Sequence, residues 1–192
     1  MNFNTLNQDS EHSGLFTIRK SLDGETSAEF VDKEQLIGIR VGQEEFLLNI
    51  AVVNEIVMLP NITYVPNSLK FIEGVINLRG TILPVINLRK MMGLPQGETS
   101  AATRIIICKD DSIAIRVGLI VDAITFVVAL LPEEIVPQTL TSGTPDSELI
   151  SGISRSGTTV KGIIDLVKIM SVTSEGRNLS EDEESGSEDA AA

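Results

Sequence analysis

The chain has one histidine, His12, and one cysteine, Cys108, far apart in the sequence. A Ser/His/Asp triad would have to be built on His12, which lies in a polar stretch with no apolar period. A zinc site needs four ligands, usually Cys and His, and only one of each is present. Cys108 ends the run Ile105-Ile106-Ile107-Cys108, where a thiol acts as a small hydrophobe and no histidine is near to take its proton. The adjacent acids Glu44-Glu45, Asp110-Asp111 and Glu133-Glu134 diverge on a strand or decorate a turn, and Asp122 and Asp165 are lone carboxylates without catalytic partners. No catalytic set, metal site or cofactor site is therefore expected. The remaining candidate is Arg79, in Asn77-Leu78-Arg79-Gly80, whose five donors would stand at the apex of a tight turn. It reads either as a solvated turn residue or as a contact for a partner.

Composition narrows the classes further. At 192 residues and 42% hydrophobic content the chain can bury a core without disulfides. A net charge of −12, no Trp and a single Tyr disfavour nucleic acid twice, through repulsion and through the lack of stacking platforms. The apolar run from Ala123 to Leu131 is too short to span a bilayer, and no basic-then-apolar leader opens the sequence, so a cytoplasmic protein is expected. The acidity is concentrated at the ends: residues 1–33 carry a net −3 and residues 174–192 a net −6, which leaves the middle nearly balanced. The expected organisation is an acidic flexible extension over 1–33, a folded domain over 34–172 and an acidic disordered tail over 173–192, both ends being dispensable for folding. The tail reads as a solubilising segment or a recruiting one.

Those few residues must be positioned by strands. From Gln35 onward apolar residues recur mostly at every second position, and Gly42-Gln43 breaks the first two runs into a hairpin. Further runs cover 62–65, 75–78, 81–86, 104–108, 113–121, 124–130, 150–154 and 158–164. Three exceptions suggest helix: Ala51 to Met58, with Val52, Glu55 and Ile56 on one stripe, and single turns at Asn87 to Met92 and Asp165 to Met170. In residues 72–88, IEGVINLRGTILPVINL, one phase is apolar throughout (Ile76, Leu78, Ile82, Pro84, Ile86, Leu88) and reads as the core face. Gly80 supplies a positive φ and Gly74 a bend or bulge. Many short strands without long helices between them favour an all-β barrel or sandwich.

The run Phe46 to Val57, then Tyr64-Val65-Pro66, Gly74 to Gly80, Pro84-Val85-Ile86 and Val117 to Asp122, in that order and spacing, resembles the CheW family of chemotaxis coupling proteins. The resemblance covers about residues 34–172. Asn87 departs from it, standing where the family commonly has an aspartate, and the acidic ends lie outside it. No receiver domain follows Val172, so the tandem adaptor of the family, CheV, is not expected, and the length excludes a kinase. The resemblance implies an all-β fold of two interlocking five-stranded SH3-like barrels with an apolar groove between them and a few short helical turns. It implies a non-enzymatic adaptor without cofactors that joins the cytoplasmic hairpin tip of methyl-accepting chemoreceptors to a CheA-like histidine kinase, reaching the membrane only through the receptors. An adaptor for a system controlling pili or second-messenger output is the alternative. Val53, Glu55 and Arg79 match the family's partner-binding positions, and the second barrel, around Ile113 to Val128, is the expected kinase-facing surface.

Overall fold

The computed structural model describes residues 16–20, 26–30, 33–110, 115–137, 149–155 and 159–173. Its strands are β1 (Phe16–Lys20), β2 (Thr26–Phe30), β3 (Glu34–Val41), β4 (Glu44–Asn49), β5 (Val53–Met58), β6 (Ile72–Leu78), β7 (Thr81–Asn87), β8 (Arg104–Asp110), β9 (Ile115–Val121), β10 (Ala123–Leu130), β11 (Ile135–Pro137), β12 (Ile150–Ser154) and β13 (Lys161–Ile164). The helical pieces are 3₁₀ turns at Ile50–Val52 and Pro132–Glu134, helix α1 (Leu88–Met91), and helix α2 over 166–173. Among the described residues no helix is long and apolar enough to cross a membrane.

The six-stranded sheet has the order β10-β3-β4-β13-β12-β11 and the five-stranded sheet the order β5-β8-β9-β7-β6. The chain starts the first with β3 and β4, builds the whole of the second, and returns to finish the first, so the two interlock. Two pairings are parallel, β13 on β4 and β9 on β7. The five-stranded sheet closes through Thr63, which exchanges two backbone hydrogen bonds of 2.9 Å with Val75 and so ties the segment after β5 to edge strand β6. Gly74 makes this approach possible: its φ is +145°, and a Cβ there would run into the Thr63 carbonyl oxygen. In the six-stranded sheet Phe126 and Val128 of edge strand β10 and Ile135 of edge strand β11 pack on one apolar cluster.

Three apolar clusters result, one inside each barrel and one between them. Ile76, Leu83, Val85, Ile105 and Ile107 fill the five-stranded barrel, and Leu36, Leu47, Leu130 and Ile163 the six-stranded one. The largest joins the two, with Ile37, Ile39 and Leu48 from one sheet against Ile106, Cys108 and Leu119 from the other. The apolar groove expected between the barrels is, over this area, a filled core. α2 helps to seal it: Leu166 and Ile169 are buried there, and Asp165 caps the helix by accepting from the Val167 amide at 2.9 Å.

Several expectations are corrected. The barrel begun by β3 and β4 has six strands, because β11 adds a short one beside β12. Ala51 to Met58 is not a helical stripe: it is the end of a 3₁₀ turn followed by β5, whose β-branched residues pair along β8. The run 62–65 contributes a single bridge, not a strand. Within the expected flexible extension, Phe16–Lys20 and Thr26–Phe30 form the antiparallel pair β1–β2, in register from Phe16↔Phe30 to Lys20↔Thr26. Residues 174–192 lie outside the described residues.

Along β7 both phases supply a core: Ile86 and, after the strand, Leu88 are buried between the sheets as expected, but at the start of β7 the buried face is the other one. A two-residue turn makes Leu78 face Thr81, so Ile76 faces Leu83 and Asn77 faces Ile82. Leu83 and Val85 are buried, whereas Ile82 points outward with 65% of its surface exposed. Skipping Arg79-Gly80 as two ordinary positions keeps the alternation in step on paper, but a hairpin reverses the chain and shifts the phase by one.

Candidate functional site

The β6–β7 turn is built by its own sequence. Arg79 and Gly80 both have positive φ, +51° and +87°, the two-residue type I′ geometry that matches the twist of the flanking strands. The Asn77 carboxamide oxygen accepts the Gly80 amide at 2.9 Å and braces the turn. Glycine adopts the left-handed region freely, whereas an arginine there costs about 1–2 kcal/mol. The strained residue is thus the one that carries the charge.

Arg79 donates from Nη2 to Glu55 Oε2 at 3.0 Å. The arginine side chain is 82% exposed and the glutamate 23%. Glu55 faces Ile107, a residue of the barrel interior, so its carboxylate emerges at the barrel mouth where the hairpin apex covers it. Val53 is elsewhere. The β5–β8 register shifts between Val53 and Glu55, and Val53 packs against the core between the sheets. Of the three candidates the structure therefore brings Glu55 and Arg79 together and separates Val53 from them. An exposed pair of this kind adds only about 0–1 kcal/mol to stability, and most of the guanidinium's donors still face solvent.

Exposed apolar side chains lie on the strands that carry the pair. Ile82 lies on the outer face of the same hairpin, and Ile56 and Met58 on β5 are 41% and 76% exposed. Beyond Ile82 the outer face continues through Pro84 and Val75 to Ile72, next to a loop whose Tyr64 is 72% exposed. This outer strip was missed in the sequence. Its signal was there: both phases of β7 are apolar, more than one buried face requires.

The other charged side chains have structural partners. Arg89 grips Asp122 with Nε 2.9 and 2.8 Å from the two carboxylate oxygens, and Asp122 also accepts the Gly42 amide, so α1 and the β3–β4 turn are tied to the β9–β10 junction. Asp122 is thereby committed to the frame. Glu73 binds Lys90 Nζ at 2.8 Å and Asn87 Nδ2 at 3.1 Å, and the Lys90 hydrogen bond holds its carboxyl below the ordinary range against an opposing desolvation. An aspartate at position 87 would set a second carboxylate against Glu73; asparagine donates instead. Burial pushes the Cys108 thiol up to about 12. Among the described residues no group of three or more His, Cys, Asp or Glu is placed to hold a metal ion.

The profile of the CheW-like domain matches residues 35–174. The chemotaxis protein CheW of Klebsiella aerogenes is 33% identical over 159 residues, which cover 83% of this chain and 91% of the relative. CheW of Treponema pallidum is 31% identical over 144 residues, covering 71% and 82%. Among solved structures, the scaffolding protein TtCheW from Thermoanaerobacter tengcongensis superposes with a TM-score of 0.65 at 34% identity, over 70% of this chain and 90% of that one.

Proposed function

The chain belongs to the CheW-like family, and on that premise we propose that it is a non-enzymatic adaptor that joins the cytoplasmic tips of chemoreceptors to a CheA-like histidine kinase. The observation that carries the reading is the Arg79 apex: a charged residue held in a strained left-handed conformation, braced by Asn77, paired with Glu55 and bordered by the exposed Ile82. Strain kept at an exposed charge is accounted for by binding, not by stability. An apolar surface with one forked cation at its edge suits the apolar stripe of a partner helix that carries an acid or a free carbonyl. The named relatives are chemotaxis proteins and the superposed structure is a scaffolding protein, which supports the same reading. The fold supplies the rigidity, because two barrels joined by a continuous core hold two partners at a fixed separation and raise their effective concentration. On this reading the protein sits in the cytoplasm at receptor arrays and adds no chemical step.

The test is reconstitution with receptor-bearing membranes and kinase. The chain is expected to sediment with the membranes and to change kinase autophosphorylation only when receptor and kinase are both present. Phosphotransfer onto the purified chain, or an equal effect on kinase alone, would overturn the reading.

A further inference from the structure

The chain passes between the two barrels twice, from β4 to β5 through the 3₁₀ turn at Ile50–Val52 and from β9 to β10 through the single residue Asp122. The two crossings lie at opposite ends of β3: Asn49, before the first, pairs with Leu36, and Ala123, after the second, pairs with Arg40. Four residues of strand separate them, about 13 Å. Between the crossings the sheets adhere through aliphatic side chains. Apolar burial is non-directional, so it opposes separation of the sheets more than a small turn of one over the other.

Directional contacts are gathered at the second crossing. The Asp122 amide donates to the Arg40 carbonyl at 2.9 Å and its carboxylate accepts the Gly42 amide, which fixes it to the six-stranded barrel. The same carboxylate is held by Arg89 of α1, the helix that follows β7 of the five-stranded barrel, through Nε at 2.9 and 2.8 Å and Nη2 at 2.8 Å. Arg89 Nη1 donates to the Pro95 carbonyl at 3.0 Å, and Gly97 lies so close to the guanidinium that a Cβ there would run into it. The arginine side chain is 22% exposed and the aspartate 19%, and the planar fork has one orientation that satisfies all of these contacts. At the first crossing the bracing bond is local: the Asn49 carboxamide accepts the Ala51 amide, two residues on.

We infer that Arg89 and Asp122 are positioning residues that set the angle between the barrels, and so the efficiency with which the adaptor couples receptor to kinase rather than its affinity for either. An ion pair opened to a water-separated one is about 2 Å longer, and over a lever of about 13 Å that turns one barrel by roughly 9° about the first crossing. The Arg79–Glu55 pair is built within the five-stranded barrel alone, so such a turn leaves it intact. The consequence for coupling rests on the adaptor reading, whereas the angle is a property of the chain by itself.

The angle is read in the full chain by pulsed dipolar spectroscopy between nitroxides on Lys70→Cys, beside the five-stranded sheet, and Ala129→Cys, on the six-stranded one; both positions are exposed and the native Cys108 is buried. The parent is expected to give one narrow distance, and Asp122→Ala or Arg89→Gln a distance broadened or shifted by a few ångströms. Without the labels, the same variants should sediment with receptor membranes and kinase within about twofold of the parent while kinase activation falls at least about fivefold. Asp122→Asn keeps an acceptor for Gly42 and loses the charge, so it should fall between, and it is read in place of the alanine variant if that chain does not fold. An unchanged distance in a folded variant, a changed distance with full activation, or binding lost in step with activation would overturn the inference. Failure of the parent itself to bind receptor or kinase would overturn the adaptor reading and the coupling claim with it, and the distances would then decide the angle alone.

Discussion

Arg79 is the position at which stability and binding are expected to separate. In Arg79→Ala the left-handed backbone and its cost remain, and only the Glu55 pair is lost; with the arginine 82% exposed that is about 0.2–1 kcal/mol, or roughly 1–3 °C in Tm at this size. In Arg79→Asn the same pair is lost, but asparagine tolerates φ near +51° and returns about 0.5–1 kcal/mol. The order of Tm is therefore Ala below parent, with Asn level with the parent or slightly above it. If the guanidinium also contacts a partner, both variants bind receptor membranes and kinase about 5- to 150-fold more weakly, corresponding to about 1–3 kcal/mol. Arg79→Asp should be worse than Ala, since it adds an acid beside Glu55. Thermal unfolding and co-sedimentation on the same preparations read both quantities. Normal assembly by Arg79→Asp would return Arg79 to a solvated turn residue. A Tm for Asn below that of Ala would refute the strain argument, and a fall of more than about 3 kcal/mol in both would make the residue structural.

Three further outcomes follow from the frame. Gly74→Ala should destabilise by about 2–4 kcal/mol in urea unfolding, because the new methyl displaces the Thr63 carbonyl and opens the bridge that closes the barrel; an unchanged midpoint would contradict that closure. Cys108, buried and with its thiol near 12, should resist a disulfide-exchange reagent at pH 8 in the native chain and react fully in denaturant. The Glu73 carboxyl is lowered in the folded state, so its stabilising effect is present above its unfolded pKa and lost as pH falls through the folded one. Glu73→Gln should therefore lower Tm at pH 7 and converge with the parent in acid, whereas a constant gap across that range would place the effect in packing rather than in charge.

Alternation and turn chemistry alone determined much of this protein. The strands from β3 to β10 other than β5, the Gly42 hairpin, the positive φ at Gly80, the bend at Gly74 and the single helical turn after Asn87 were all legible, because each depends on residues within a few positions of one another. So was Cys108 as a core residue. What tertiary structure alone decided was which face of each strand is inside and which side chains meet. β7 is apolar on both faces, and only its two-residue turn and the closure of its own barrel assign Leu83 and Val85 to a core and Ile82 to solvent. Val53 and Glu55 are two apart and would share a face in a regular strand, but a shift in the pairing with β8 separates them. Arg79 and Glu55, 24 positions apart, come within 3.0 Å because Thr63 and Val75 close the sheet. A period records the local backbone, whereas register, closure and the space between two sheets are set by residues far along the chain, which leave no trace in local spacing.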